Sequence, residues 1–127
     1  MRYSSYEPVR PIVGFTEPVV LVGKDGKQKS LRARIDTGAV SSSINRITAE
    51  QLQLGPRISN TIVKNAHGHS KRPVVEATIE IAGQRITATF NVAHRLHLQY
   101  PILIGQNILK QGFVIDPLKD QTVLKKF

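Results

Sequence analysis

The sequence of 127 residues contains no cysteine. This absence excludes disulfide bonds, thiolate nucleophiles and the cysteine-based zinc sites of small metal-binding domains. No stretch approaches the roughly 18 consecutive apolar residues of a membrane-spanning helix, and residues 1–8, MRYSSYEP, lack the apolar core of a signal peptide. We therefore expect a cytoplasmic protein without contact to a membrane.

Acidic residues are also few, since nine Asp and Glu oppose 18 Lys and Arg and leave a formal net charge of +9. Such an excess of positive charge indicates an acidic partner, and a solvated basic surface is the simplest alternative. Nucleic acid is a less suitable partner, because the basic residues are scattered and aromatic residues make up only 6%. The three tyrosines, at positions 3, 6 and 100, are too dispersed to form a face on which bases stack.

The length suits one domain with one hydrophobic core, because 40% of the residues are apolar. Residues 1–12, which include Pro8 and Pro11, predict an extended N-terminal arm. Residues 13–127 contain no internal repeat and no linker composition, and we expect them to form a single domain.

Alternating apolar and polar residues predict that β-strands dominate this domain. Residues 75–81 and 86–92 alternate on either side of residues 82–83, Ala-Gly, which is typical of a long hairpin with one buried face. In the second segment Phe90 falls on the apolar face and Asn91 on the polar face. Many short strands in a small domain favour a closed barrel, because closure removes exposed strand edges. The predicted fold class is therefore all-β.

A second hairpin and two short helices complete the predicted elements. Residues 18–22 and 31–35 flank a turn-forming stretch, residues 23–26, and this hairpin ends at Asp36. One helix is predicted to open at Thr48, with Gln51 three residues later as in a capping box. The other is predicted over residues 106–110, after a short apolar strand.

Asp36, Thr37 and Gly38 follow directly on an apolar strand. The glycine permits a tight turn, and the small hydroxyl-rich residues 41–43 come next. An aspartate at a strand end before glycine often forms only an Asx-type turn, so a structural interpretation of this tripeptide stays open. The alternative is that the carboxylate carries chemistry.

A second segment, residues 100–109 with the sequence YPILIGQNIL, predicts a strand, a glycine and a short helix. Its pairing with residues 35–39, IDTGA, resembles the retropepsins, in which these two elements build the catalytic floor. The chain is more closely similar to a bacterial retropepsin-like family that is often labelled ATP-dependent zinc proteases. The segments that carry this similarity are residues 13–17, 33–43, 72–75 and 90–116.

The sequence departs from that family at two places. Val40 stands where the family usually has a basic residue, and residues 93–95, AHR, stand where it usually reads Thr-Asp-Arg. The label itself finds no support, because the sequence has no Gly-rich Lys-Ser/Thr loop for phosphates and no His-Glu-x-x-His helix. We therefore expect neither ATP nor zinc, nor any other cofactor.

The resemblance implies a two-fold homodimer in which two copies of Asp36 share a proton. Two such carboxylates cannot both ionise cheaply, so one takes a proton from water while the other donates to the substrate carbonyl. One chain offers a single aspartate in this context, since Asp25, Asp116 and Asp120 lie in unlike contexts. Thr37 and Gly38 are implied to brace the pair.

The resemblance also places a flap, a hairpin that closes over substrate, at residues 64–72, with Gly68 at its tip. His67 and His69 could bind a metal, but two histidines without a paired carboxylate are more typical of a solvated loop, so no metal ligand is assigned. His94 and His97 receive no role. The residues expected to bind substrate are Ala39, His67, Gly68, His69, Arg72, Ile104 and Gly105.

Two functions remain open from the sequence. The first is an aspartic endopeptidase that cleaves acidic or glutamate-rich peptides, because members of the resembled family are often associated with ATP-grasp ligases that append glutamate. The second is a non-catalytic module of the same fold that binds an acidic peptide without cutting it.

Overall fold

A computed structural model describes residues 9–66, 68–94 and 99–119. The strands are β1 (Ile12–Val13), β2 (Thr16–Val22), β3 (Gln28–Ile35), β4 (Ser42–Asn45), β5 (Ser59–Asn65), β6 (Gly68–Ile81), β7 (Gln84–Ala93), β8 (Ile102–Ile104) and β9 (Val114–Ile115). The helices are α1 (Arg46–Gln51) and α2 (Gln106–Leu109). Neither of these short helices could span a bilayer, and the described residues contain no other candidate.

Six strands close into a barrel in the order β2-β3-β8-β4-β7-β6. Pairing of β6 with β2 closes the ring, with Val19 opposite Ile81 at one end of the contact and Val22 opposite Thr78 at the other. The first half of β6 pairs with β5, and its second half pairs with β7. The predicted all-β barrel with two short helices is therefore confirmed.

Both predicted hairpins are present. Strands β6 and β7 reverse through Ala82 and Gly83, whose φ angles of 48° and 77° are those that a two-residue turn requires. Strands β2 and β3 pair from Thr16 opposite Arg34 to Val22 opposite Gln28. Local alternation of apolar residues and turn composition was sufficient to predict these two pairs.

Helix α1 begins two residues earlier than predicted. Asn45 caps it, because the side-chain oxygen Oδ1 accepts a hydrogen bond of 2.8 Å from the amide of Ile47. Thr48 lies inside the helix and is buried, so the prediction of a capping box at Thr48 was wrong. Helix α2 occupies residues 106–109, in agreement with its prediction.

The core fills the barrel from the inward faces of its strands. Each fully buried aliphatic or aromatic side chain contributes about 1.5–3 kcal/mol to the free energy of folding. The largest of these side chains are Leu21, Ile44, Ile79, Ile81, Phe90, Ile102, Ile104 and Ile108.

The burial of Asn91 differs from the predicted pattern of β7. The strict alternation placed it on the polar face, but its side chain is only 2% exposed. The reason is long-range, because β4 pairs with this end of β7 and sets Ser43 beside Asn91. The amide is buried by its neighbours and fully hydrogen-bonded by them.

A partly buried ion pair between Glu17 and Lys119 ties the beginning of the described chain to its end. Glu17 is 3% exposed and accepts hydrogen bonds from the amide of Gly14 at 2.7 Å and from Lys119 Nζ at 2.9 and 3.0 Å. Lys119 also donates to the carbonyl of Ile12 at 2.7 Å. The boundary between an arm, residues 1–12, and the domain stays a prediction.

Candidate active site

Asp36 lies where two parallel strands end together. Strand β3 pairs with β8, with Ile35 opposite Ile104, and the Asp36 amide donates a hydrogen bond of 2.9 Å to the Ile104 carbonyl. Since the carboxyl ends of parallel strands meet at the same edge of a sheet, Asp36 is set beside the turn at Gly105. Residues 35–39 and 100–109, the two segments whose pairing resembles the retropepsins, are thus neighbours.

The Asp36 carboxylate is half-buried and is fixed through one of its oxygens. Oδ1 accepts a hydrogen bond of 3.0 Å from the amide of Gly38. Within the described chain no group donates to the other oxygen, Oδ2. The contact is an Asx turn, as the structural interpretation expected, and it is compatible with chemistry because it orients the carboxylate and leaves one oxygen available.

Gly105 allows a close approach between α2 and the loop that follows Asp36. A Cβ atom at this position would lie 2.5 Å from the Ser41 carbonyl oxygen and 2.7 Å from that of Ala39. The next amide, that of Gln106, donates to the Ala39 carbonyl at 2.8 Å. Glycine is required here for space, since its φ of −104° is accessible to any residue.

A side-chain network fixes the same loop from the other side. Asn107 Oδ1 accepts hydrogen bonds from the amide of Ser42 at 3.0 Å and from its hydroxyl at 2.7 Å. The Ser42 hydroxyl oxygen accepts from the Gly105 amide at 2.9 Å, and Asn107 Nδ2 donates to the Thr89 carbonyl at 3.0 Å. The backbone around Asp36 is therefore held by both α2 and β7.

Asn91 extends this network to β6, and no role for it was predicted from the sequence. Its Oδ1 accepts from the Ser43 hydroxyl and from Arg72 Nη1, both at 2.9 Å. Its Nδ2 donates to the Ser41 hydroxyl and to the Ser42 carbonyl, both at 3.0 Å. The amide thus uses all of its hydrogen-bonding capacity. The run of three serines, which need partners when buried, was the one signal that could have pointed to it.

A cleft of about 670 Å³ opens between the loop after Asp36 and strand β5. The predicted site residues Asp36, Gly38, Ala39 and Arg72 line it together. Lys64 of β5 lies on the same cleft and adds a second positive charge to that of Arg72. The cleft thus joins the candidate catalytic carboxylate to two cationic side chains.

Arg72 carries its charge at a partly buried position. Burial lowers the pKa of its guanidinium, because removal from water disfavours the charged form. Its hydrogen-bond partner, Asn91, is neutral, and no acidic side chain pairs with it within residues 9–66, 68–94 and 99–119. Arginine nevertheless stays protonated, so the position has an unbalanced positive charge.

Three further predicted residues, Thr37, Ile104 and Gly105, are not among the described residues that line this cleft. Thr37 is exposed, and its carbonyl accepts a hydrogen bond of 2.9 Å from Gln106 Nε2. Ile104 and Gly105 are buried beneath Asp36, and their contacts with the site are made by backbone atoms. Substrate contacts of Thr37, Ile104 and Gly105 stay predictions.

The predicted flap is a hairpin of β5 and the first half of β6. Gly68 lies opposite Asn65 next to its tip, and His69 is exposed on β6. His67 and His97 lie outside the described residues. His94 is exposed and follows β7.

A family model described as retropepsin-like aspartic endopeptidase RimB matches residues 48–126. The matched stretch includes Arg72, Asn91 and Asn107, and Asp36 precedes it. The description contains neither ATP nor zinc. None of the curated proteins matches the chain.

Several solved structures are similar to this chain along most of its length. An EIAV protease complexed with an inhibitor is 22% identical with a TM-score of 0.62, and the match covers 87% of this chain and 93% of that chain. A retropepsin-like aspartic protease from Rickettsia conorii is 20% identical with a TM-score of 0.54, covering 82% and 94%. A protein of unknown function from Legionella pneumophila is 21% identical with a TM-score of 0.56, covering 86% and 94%.

At these identities the structural likeness shows a shared fold. The family model goes further, because it covers more than half of the chain. The protein therefore belongs to the RimB-like family of retropepsin-like aspartic endopeptidases.

Proposed function

We propose that the protein hydrolyses peptide bonds as an aspartic endopeptidase and that Asp36 supplies the reacting carboxylate. The observation that carries this proposal is the Asp36 side chain on the cleft, with Oδ1 held by Gly38 and Oδ2 without a donor from the described chain. Membership of an aspartic endopeptidase family supports it. Asp36, Thr37 and Gly38 are the proposed catalytic residues.

The proposed reaction needs a second carboxylate, which we assign to Asp36 of a second copy. Asp25 lies in the turn after β2 and Asp116 follows β9, and neither is among the described residues that line the cleft. Thr37 and Gly38 are exposed beside Asp36, which supports an approach of two copies about a two-fold axis at this point.

Two facing carboxylates share one proton, because ionising both at close range is costly. The ionised carboxylate takes a proton from water, whose oxygen attacks the carbonyl carbon of the peptide bond. The protonated carboxylate donates its proton to the carbonyl oxygen and forms a tetrahedral intermediate. The carboxyl group that took the proton from water then donates it to the amide nitrogen, and the C–N bond breaks to release the amine. One hydroxyl group of the intermediate returns its proton to the other carboxylate, which leaves a carboxylic acid as the second product and restores the shared proton.

Acidic peptides, including glutamate-rich ones, are the proposed substrates. Lys64 and Arg72 line the cleft, and Arg32 and Arg34 lie on the exposed face of the strand that leads to Asp36. These four cations are among the 18 Lys and Arg that give the chain its net charge of +9. A polyanion is attracted to such a surface before it makes any specific contact.

Dimerisation is the first test of the shared site. The protein is expected to sediment as a two-chain species at micromolar concentration, because one chain holds half of the proposed site. Asp36→Lys is expected to weaken the dimer by at least about tenfold, since it sets two cations face to face, whereas Asp36→Asn is expected to dimerise as the wild type does. A monomer that hydrolyses peptides at the wild-type rate would contradict the shared site.

The salt dependence of hydrolysis tests whether the protein prefers acidic substrates. The Debye length shortens from about 10 Å at 0.1 M salt to about 3 Å at 1 M, which weakens the attraction between the basic protein and an acidic peptide. The kcat/KM for a glutamate-rich peptide is therefore expected to fall by about tenfold over this range of salt. A neutral peptide of the same length is the control and is expected to change little. Equal rates and equal salt responses for the two peptides would refute a preference for acidic substrates.

Chelation tests the proposal that water is activated by carboxylates alone. Hydrolysis is expected to be unchanged after dialysis against EDTA, because two carboxylates supply both the acid and the base. Loss of turnover in EDTA and its recovery with zinc would instead assign a metal to the site, with His67 and His69 as the first ligands to replace.

A further inference from the structure

A second cavity lies next to the point where β3 ends before Asp36. Its volume is about 340 Å³, and we call it the Arg34 pocket. It is formed by the beginning of β2, the end of β3 and the residues that precede β2 and β8. Its lining residues are Phe15, Thr16, Arg34, Ile35 and Tyr100.

The pairing of β3 with β8 places the Arg34 pocket next to the cleft of Asp36. Ala33 and Ile35 are buried in the core, so Arg34 between them points to the outer face of the barrel. On β8 the residue opposite Arg34 is Leu103, which lines the cleft. Neighbouring strands lie about 5 Å apart, so the cleft and the Arg34 pocket are adjacent.

Arg34 also lies close to Asp36 along the chain. Residues two apart on a strand point to the same face and are about 7 Å apart. Arg34 and Asp36 have this spacing, and the Asp36 amide continues the strand pairing with its hydrogen bond to the Ile104 carbonyl. An extended peptide advances by about 3.3 Å per residue, so a substrate side chain in the Arg34 pocket belongs to a residue within about two positions of the cleaved bond.

The positive charge of Arg34 is not balanced by any group in the described part of the chain. Its side chain is exposed, and among the described residues it has neither a hydrogen-bond partner nor an ion-pair partner. Arg32 differs, because its Nη2 donates a hydrogen bond of 3.0 Å to Thr16 Oγ1. The aromatic side chains of Phe15 and Tyr100 line the pocket beside Arg34 and reduce the screening of its charge by water.

We propose that the Arg34 pocket binds an acidic side chain of the substrate and that Arg34 is a specificity-determining residue. This inference rests on the proposed endopeptidase function and assigns one position of its acidic substrate. A guanidinium presents parallel N–H donors that bind a carboxylate through two hydrogen bonds. A glutamine side chain has the same length but offers one acceptor oxygen and no charge. The pocket therefore selects glutamate over glutamine.

The test compares hexaglutamate and hexaglutamine peptides, blocked at both ends, as substrates at about 1 M salt, where long-range attraction is screened. Arg34→Gln is expected to lower kcat/KM for hexaglutamate by about tenfold, because it removes a charged hydrogen-bond donor, and to leave kcat/KM for hexaglutamine within about twofold. Arg85→Gln is the matched control, since it removes the same charge from an exposed ion pair with Glu80 on the β6–β7 hairpin. It is expected to retain the wild-type preference for hexaglutamate.

Peptide binding to the Asp36→Asn protein separates this proposal from the proposed hydrolysis. In a calorimetric titration, addition of Arg34→Gln to Asp36→Asn is expected to weaken the binding of hexaglutamate by about tenfold. The same loss of binding, found together with a wild type that cleaves neither peptide, would support the pocket and contradict the hydrolysis. Equal effects of Arg34→Gln on the two peptides, or hexaglutamate binding that Arg34→Gln leaves unchanged, would overturn the proposed role of Arg34.

Discussion

Asp36→Asn is expected to lower the rate of peptide hydrolysis by about 10²- to 10⁴-fold, the range that an acid-base group contributes. The amide retains the shape of the carboxylate, and its oxygen can still accept the hydrogen bond from the Gly38 amide. It cannot take a proton from water at neutral pH. Because both subunits carry the change, the proposed dimer loses its base and its acid together.

Asp25→Asn is the matched control for this substitution. Asp25 lies in an exposed turn with a φ of 57°, a conformation that asparagine adopts as readily as aspartate. The control is expected to hydrolyse a glutamate-rich peptide at the wild-type rate. Initial rates are measured for both variants at matched protein concentration, with sedimentation to establish that both are dimers.

The same experiment separates the two functions that the sequence left open. Wild-type hydrolysis retained by Asp36→Asn would contradict the aspartic mechanism. A wild-type protein that binds acidic peptides and cleaves none would support the alternative, a binding module with the same fold. Loss of hydrolysis in Asp36→Asn with unchanged peptide binding is the result that the aspartic endopeptidase predicts.

The parts of the fold that follow from local patterns could be predicted from the sequence. The hairpin through Ala82 and Gly83 depends on alternation and on two residues that accept positive φ, and all of this information lies within about twenty residues. The contact between Asp36 and Gly105 does not follow from a local pattern, because it requires β8 to lie between β3 and β4 in the sheet. Only the resemblance to a family predicted that contact.

The features that the sequence did not predict depend on which strands lie side by side in the folded barrel. Asn91 occupies a polar position of an alternating strand, and it becomes buried because Ser42 and Ser43 of β4 pair alongside it. The start of α1 was missed for a local reason, because both Asn45 and Thr48 are residues that cap helices.

Gly105→Ala is expected to destabilise the fold by about 2–3 kcal/mol and to lower Tm by about 10 °C. The added Cβ would lie 2.5 Å from the Ser41 carbonyl oxygen and 2.7 Å from that of Ala39. Both neighbours are backbone atoms, so they can give way only if the loop after Asp36 moves. That movement would also strain the hydrogen bond between the Gln106 amide and the Ala39 carbonyl.

Gly38→Ala is the matched control, because it makes the same substitution on the other side of the site. Its Cβ would have the Asp36 Oδ1 atom at 3.5 Å as its nearest neighbour, which is an ordinary contact. Stability is therefore expected to change by less than about 1 kcal/mol. Urea and thermal unfolding of the two variants measure the difference. Equal stability of Gly105→Ala and the wild type would mean that the loop after Asp36 moves without a cost in stability. It would contradict the conclusion that contacts with α2 hold the backbone around Asp36.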